Sequence, residues 1–513
     1  MSDIHRHEEP SSMFTTDQFR PTSPSYFHLI PTCLDLFMEH IYPIMPLVHM
    51  PTLRASINRP LEMYEQNLLY SLCALTSTHM SGKNILAPGP PSWEAAGRFF
   101  LDECISVRQR YDFVEDKSLS AVISSYLIHT AFFELNQNRK CWYYLREALT
   151  LGQDLMLHDE NSYAGLAPAE ALCRRRTFWI LYVTERSFAI LRHKPLTLSK
   201  TPEFPTTLHD YELPEIHDGF MRLVNSYHLL DSSFVDSWNE ASSAPASTTT
   251  YTALQRQLNR PQPSDISITD IQKADILVTQ QWLRLIVWQS SMRQGLLSST
   301  AEDESMTFRY PLKIAHSLLD VISSLPTTSI EVHGMGIFEK IFEIGNTMLD
   351  VMQACGTSLP NASYGVTQDP FEVFVKTLSQ TPNSQRQYAN LLLAKAAEKP
   401  EFQRLTQTLT PTLSSLAQDA MLPLPAIDFI GYPSSQGSGS GSSGLMAPVQ
   451  RQWRGSIVGE IGEDGRYKVS EDAEEQQALW ADNAIWIPET VASGSDDDGM
   501  VGGEDGVWIG KVE

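Results

Sequence analysis

Residues 173–196 read Cys-Arg-Arg-Arg-Thr-Phe-Trp-Ile-Leu-Tyr-Val-Thr-Glu-Arg-Ser-Phe-Ala-Ile-Leu-Arg-His-Lys-Pro-Leu. Three consecutive arginines precede an apolar, aromatic-rich helical pattern, which runs into a Lys-Pro stop. A basic triplet points either to phosphate recognition or to a solvated helix end. Here it is fused to a face that has to be buried. Cations near the N-terminal side of a helix oppose the dipole, so carboxylates should compensate them, with Glu147 and Glu170 as candidates. We expect at least one of Arg174, Arg175 and Arg176 to be buried against a carboxylate or a helix C-terminus.

The same helical period extends in both directions from this stretch. Toward the N-terminus, Leu29, Cys33, Leu36, Phe37 and His40 recur at three- and four-residue steps and end near Pro43. Further helices are predicted over 61–80, 93–111, 118–136, 139–157 and 167–192. The segment 118–136 is apolar nearly all round, as a central helix would be. Beyond the stretch, 217–240, 268–296, 310–325 and 330–356 carry periodic apolar positions, with weaker helices at 385–398 and 401–417. Ser242–Thr250 reads as a loop. No stretch sustains period-two alternation, so the fold class is all-α. The helices at 139–157 and 167–192 should form a hairpin, with Tyr143, Leu145, Ala148, Leu149 and Leu155 facing Phe178, Trp179, Leu181, Tyr182 and Phe188.

Composition narrows the function. The chain of 513 residues carries a formal charge of -23, which opposes broad affinity for phosphate backbones or anionic membranes. No apolar run reaches the length of a membrane span. The six cysteines lie about thirty or more residues apart, unlike a clustered zinc site or a secreted disulfide scaffold, and read as buried thiols. There is no nucleophile elbow, phosphate-binding glycine loop or His-Glu-x-x-His helix. His5, His7 and Glu8, and the run Asp496–Asp498, have no scaffold suited to a metal. His49 at a proline-bounded turn and His158 at a helix end read as structural. Glu185 and Arg186 inside an apolar helix predict a buried polar network, an internal salt bridge or the edge of a ligand cavity.

The domain reading has four parts: a disordered polar segment at 1–25, a helical body at 26–420, a flexible linker at 421–444 and a tail at 445–513. The tail has 15 Asp or Glu against 5 Lys or Arg, with Trp453, Trp480, Trp486 and Trp508 among them. Acids interleaved with aromatics fit either an activation segment that folds on its partner or a solubilising tail.

The stretch Phe37–Leu53, the run Cys141-Trp142-Tyr143-Tyr144-Leu145-Arg146-Glu147-Ala148-Leu149 leading to Leu157-His158, and the segment Arg174–Leu196 resemble, in order and spacing, the fungal-specific transcription factor domain. This is the middle homology region of zinc binuclear cluster regulators. Thr184-Glu185-Arg186-Ser187-Phe188 followed by His193-Lys194-Pro195 is most similar to regulators of starch and maltose utilisation. The family motif then falls on Trp142, Arg146, His158, Arg174, Arg175 and Arg176. It continues through Phe178, Trp179, Glu185, Arg186, Lys194 and Pro195.

The resemblance implies a large helical regulatory domain in a nuclear, DNA-directed transcription regulator, not an enzyme. Its partners would be the transcription machinery or a DNA-binding protein, with room for a homodimer and a small-molecule inducer, and no membrane. Such regulators carry a six-cysteine zinc cluster, and this chain has no Cys-x2-Cys-x6-Cys pattern. Zinc is expected only where such a cluster accompanies it, and no cofactor is expected in the helical body. A helical scaffold or co-regulator without a DNA role is the alternative, and an unrecognised enzyme is a third reading.

Overall fold

A computed structural model describes residues 25–83, 89–240, 247–260, 268–355, 369–397, 459–461 and 467–469. The predicted helix at 401–417, the linker, most of the tail, nearly all of the N-terminal segment and the two weak metal candidates lie outside these residues.

The helices form where apolar periodicity, caps and prolines agree. The first is α1 (Ile30–Leu36), extended by a π-helical turn at Phe37–Ile41. Next come α2 (Met50–Ser56), α3 (Met63–Met80), α4 (Trp93–Arg108), α5 (Leu119–Glu134) and α6 (Asn138–Asp154). Ser92 and Ser118 cap α4 and α5, accepting from the amides of Ala95 and Ala121 at 3.1 and 3.3 Å. Helix α7 (Pro168–Arg192) starts with proline in its first turn and ends at His193, whose φ of 47° is left-handed.

The second half comprises α8 (Pro214–His228), α9 (Ser232–Glu240), α10 (Thr248–Leu258), α11 (Asp270–Arg293), α12 (Tyr310–Ser324), α13 (Thr327–Glu331) and α14 (Met335–Cys355). It closes with α15 (Pro370–Leu378), α16 (Pro382–Ser384), a π-helical turn at Gln385–Ala389 and α17 (Asn390–Ala397). An antiparallel pair, β1 (Gly459–Ile461) and β2 (Tyr467–Val469), lies outside this helical body. The body is thus all-α, and the hairpin is an addition that the sequence pattern does not signal.

Several boundaries differ from the sequence reading. The segment 217–240 is two helices, because the Leu230 amide bonds back to Tyr227 and Asp231 caps α9 through the amide of Phe234 at 2.8 Å. The segment 330–356 breaks at Gly334, with φ of +64°. Helix α10 begins inside the Ser/Thr tract, where Ser247 accepts from Thr249 at 3.2 Å. His49 sits not in a turn but at the start of α2, where its ring accepts from the amide of Thr52 at 3.4 Å. Helix α6 stops at Asp154, so His158 lies beyond it, after Met156 in the left-handed region.

Two apolar cores organise the body. In the first, α3 and α5 are buried along most of their length and pack on each other, flanked by α4 and α6. In the second, α11 is the centre, with Trp282 and Trp288 fully buried and α8, α10, α12 and α14 around it. Helix α7 belongs to both: Phe178–Tyr182 enter the first core and Ala189 and Ile190 the second. At about 1.5 Å per residue it is long enough to do so. Helix α6 packs mainly on α5, not as a hairpin with α7, and Tyr143 is 62% exposed. The α6–α7 contact is confined to places such as Gly152, where an added Cβ would come within 3.3 Å of Leu181.

The halves also meet at Glu134. Its buried carboxylate accepts from the amide of Met335 at 3.1 Å, capping α14. A Cβ on Gly334 would stand 2.2 Å from this carboxylate, and the φ there suits only glycine comfortably. Gly334→Ala is therefore expected to lower the stability of the full chain by about 2 kcal/mol or more in urea denaturation.

Candidate functional site

Consecutive residues on a helix are rotated by about 100°, so the arginine triplet must address three directions. Arg174 turns along its own helix to Glu170, one turn back, at 2.8 Å. Arg175 pairs with Glu160 in the 3-10 turn Glu160–Tyr163 and lies 4.5 Å over the Tyr163 ring. The same Glu160 accepts from the amide of Glu203 at 3.0 Å, tying the segment after α7 to this turn. Arg176 points inward and is fully buried.

Arg176 meets Glu212 through two hydrogen bonds, at 2.5 and 2.8 Å. Tyr42 donates to the same carboxylate and shares a 2.8 Å hydrogen bond with Tyr211. The amide of His209 adds another at 2.9 Å. The cluster thus joins α7, the turn after α1 and the segment before α8. Burial opposes the charge on both partners, but the paired hydrogen bonds outweigh it: Arg176 is held above its ordinary range and Glu212 below its own. His209 is pushed down to about 4 by burial, so it is neutral where it stacks on Tyr211 at 5.3 Å. His49 packs edge-on against His209 at 4.8 Å.

A second cluster sits farther along α7. The Glu185 carboxylate, 1% exposed, accepts from the amides of Thr197 and Leu198 at 2.7 and 3.0 Å. Arg146 of α6 lies 3.8 Å from it and donates to the Thr197 hydroxyl at 3.3 Å. Glu185 thereby fastens the strand-like segment after α7 back onto that helix. Trp142 stacks on Phe188 at 6.2 Å, with Arg146 and Lys194 at 5.6 and 5.3 Å from its ring. Trp179 donates to the Glu203 carbonyl at 3.2 Å and stacks on Phe204 at 4.5 Å, and Phe178 packs beside it at 5.4 Å. Pro195 is exposed, and His158 is not joined to this cluster by any hydrogen bond or ring contact described here.

Glu185 and Arg186 do not pair with each other. Arg186 lies 3.3 Å from the centre of the Tyr182 ring, and burial pushes its guanidinium below the ordinary range. Its Nε and Nη1 have no hydrogen-bond partner among the described residues. The pair therefore belongs to two environments, one a backbone clasp and the other a cation–π stack. A small cleft, no larger than a water molecule needs, lies elsewhere, between Ile44, Gly219, Phe220, Gln272, Asp275 and His333. Among the described residues no group of His, Cys, Asp or Glu is arranged to hold a metal, and no helix is long and apolar enough to cross a membrane. All six cysteines are free thiols.

Sequence reasoning found the arginines but not most of their partners. Glu170 is visible as an i, i+4 pair. Glu160, Glu212, Tyr42 and Thr197 are distant in sequence or in unpatterned segments, and no local signal marks them. Glu147 serves Arg108 instead, the ion pair closing at 2.5 Å.

The profile described as the fungal specific transcription factor domain matches residues 34–354. That span takes in nearly all of the first core, all of α7 and most of the second core. A probable sucrose utilization protein of Candida albicans is 27% identical over 62% of this chain and 63% of its own length. A maltose fermentation regulatory protein of Saccharomyces cerevisiae is 24% identical over 72% of this chain and 77% of its own. A second such protein of that yeast is also 24% identical, over 63% and 68%. The chain thus spans slightly less than two thirds of the first of these relatives.

Removing one member of a buried ion pair strands the other. Glu212→Gln is expected to cost about 3–5 kcal/mol in urea denaturation, and replacing both Arg176→Met and Glu212→Leu should cost less than Glu212→Gln alone. Because the folded state holds Glu212 below its ordinary pKa, its contribution is present above the carboxylate range and lost as pH falls through the folded value. Acid titration of stability should therefore be shallower in the double variant than in the parent.

Proposed function

Because the chain belongs to the fungal-specific transcription factor domain family, we propose that it regulates genes of carbohydrate utilisation from the nucleus, its helical body serving as the regulatory unit. Transcription regulation itself follows from the family. The carbohydrate assignment is supported by the relatives named for sucrose and maltose. The observation that carries the mechanism is that every member of the arginine triplet is engaged with a carboxylate of the same body. The triplet is therefore a brace for α7 and offers no free cations to phosphate.

On this reading contact with DNA is made outside the helical body, by a zinc cluster or by a DNA-binding partner, and the body acts by controlling access to the transcription machinery. The family-motif residues divide by role. Arg176 fixes α7 to the first core, Glu185 and Arg146 fix the segment after it, and Trp142 with Lys194 covers the join. The acidic tail at 445–513 supplies the activating surface. A small-molecule inducer and a second copy of the chain are the natural inputs to such a unit, and no catalytic role is assigned.

Tethering the full chain to a heterologous DNA-binding domain upstream of a reporter in a fungal host tests this reading. Reporter output is expected to change with tethering and to respond to sucrose or maltose against glucose. Output indistinguishable from the untethered control on every carbon source would support a scaffold role instead. Output that changes with tethering but ignores carbon source would remove the carbohydrate assignment alone.

A further inference from the structure

The seam between the two cores contains a buried lysine amine with no acceptor for its hydrogen bonds among the described residues. Lys83 lies just past the end of α3, and its Nζ is buried without an acceptor among the described residues. Around it the two halves of the body are joined at four points. The Glu134 carboxylate of α5 caps α14 through the Met335 amide at 3.1 Å. The side chain of Asn383, at α16, donates to the Glu134 carbonyl at 3.1 Å. The His79 ring donates from Nε2 to the Val332 carbonyl, while its Nδ1 stands 3.5 Å from Glu134. Gly82, with φ of +71°, lies so close to Pro382 that a Cβ would come within 2.5 Å of it.

Apart from α16, which is Pro382-Asn383-Ser384, the elements around Lys83 present ionisable groups. Glu134 comes from α5 and Glu331 from α13, and both act electrostatically on Lys83. His79 comes from α3 itself, and His40, next to Glu39, comes from the turn after α1 and feels both Lys83 and His79. His333 follows α13 and feels His79 from the far side. The carboxylates favour a charged Lys83, but neither accepts a hydrogen bond from it. An ammonium taken out of water without an acceptor carries a desolvation cost that distant charges do not return.

We propose that Lys83 is a proton-operated latch between the two halves of the helical body, with its charged form loosening the seam held by Glu134 and its neutral form letting the seam close. Burial, against the pull of Glu134 and Glu331, lowers Lys83 to about 8 in the closed body. When the seam opens and Lys83 reaches water, it returns toward the ordinary lysine value. The open state then binds the extra proton between these two values, so opening becomes harder as pH rises through that window. Below it, Lys83 is charged in both states and closure bears the whole desolvation cost. The latch thus makes the junction of the two cores, where α14 begins, the part of the body that answers to pH near neutrality and above.

Hydrogen exchange on the full chain tests this, read at the amides of His79–Lys83 and Met335–Phe338 from about pH 7 to about pH 9.5, with the intrinsic pH dependence removed. In the parent chain, seam opening should fall by up to about tenfold per pH unit above about pH 8. Lys83→Met keeps the side-chain length without the charge. It should open less than the parent at about pH 7 and show no fall across the range. Lys83→Arg stays charged throughout, so it should remain as open as the parent is at about pH 7 and should not close with pH. The proposal is overturned if the parent and Lys83→Met follow the same profile, or if Lys83→Met opens more readily than the parent at about pH 7. Amides in the last turns of α11, at the opposite end from the Ile271 carbonyl that meets His333, report whether either variant has altered the body as a whole.

Discussion

Helix α7 has to cross two apolar cores while carrying charge, and the buried Arg176–Glu212 pair is what makes that crossing possible. A guanidinium with no exposure needs its charge matched, and Glu212 meets both terminal nitrogens with both oxygens, leaving Nε without a partner among the described residues. Glu212 in turn holds Tyr42 and the His209 amide. The start of the body, its longest helix and the segment leading into α8 are thereby fixed to one another by a single carboxylate. The same logic recurs where α7 ends: Arg192 pairs with Glu339 of α14, and Trp238 of α9 donates to the Ile190 carbonyl at 3.0 Å.

Buried carboxylates of the body thus recur at joins. Glu185 receives two backbone amides of the segment beyond α7, and Glu134 receives the first amide of α14. Each is a carboxylate standing in for a backbone partner that regular structure does not supply. A helical body built this way has two packed cores and a few specific polar seams. Movement between the cores needs the seams to open, not the cores to melt, and Lys83 is placed at one of these seams.

The sequence conveyed the helical body well because its apolar residues follow the helix period through α3, α4, α5, α6 and α7. It misjudged places where one residue overrides that period. Gly334 stops a helix that its neighbours would continue, and Asp231 starts a new one inside a run of periodic positions. The expected face-to-face hairpin of α6 and α7 failed for a related reason. Apolar side chains such as Tyr143 carry no address, and α5 offered α6 the larger surface. The site was half legible: Arg174–Arg176, Glu185 and Arg146 were visible as charges in apolar surroundings, whereas Glu212 and Thr197 sit in segments with no pattern.

By itself, the sequence determined the helical class, the two-sided demand on the helix after the arginine triplet, the poverty of catalytic motifs and the family to which the chain belongs. These follow from side-chain period, composition and motif order, which are properties of the chain read locally. Only the tertiary structure decided which carboxylate each arginine meets, that Glu185 and Arg186 face different surroundings, and that Lys83 lies in the seam between cores. Pairing of distant charges depends on how helices pack, because the cost of a buried charge is set by what surrounds it and not by what precedes it.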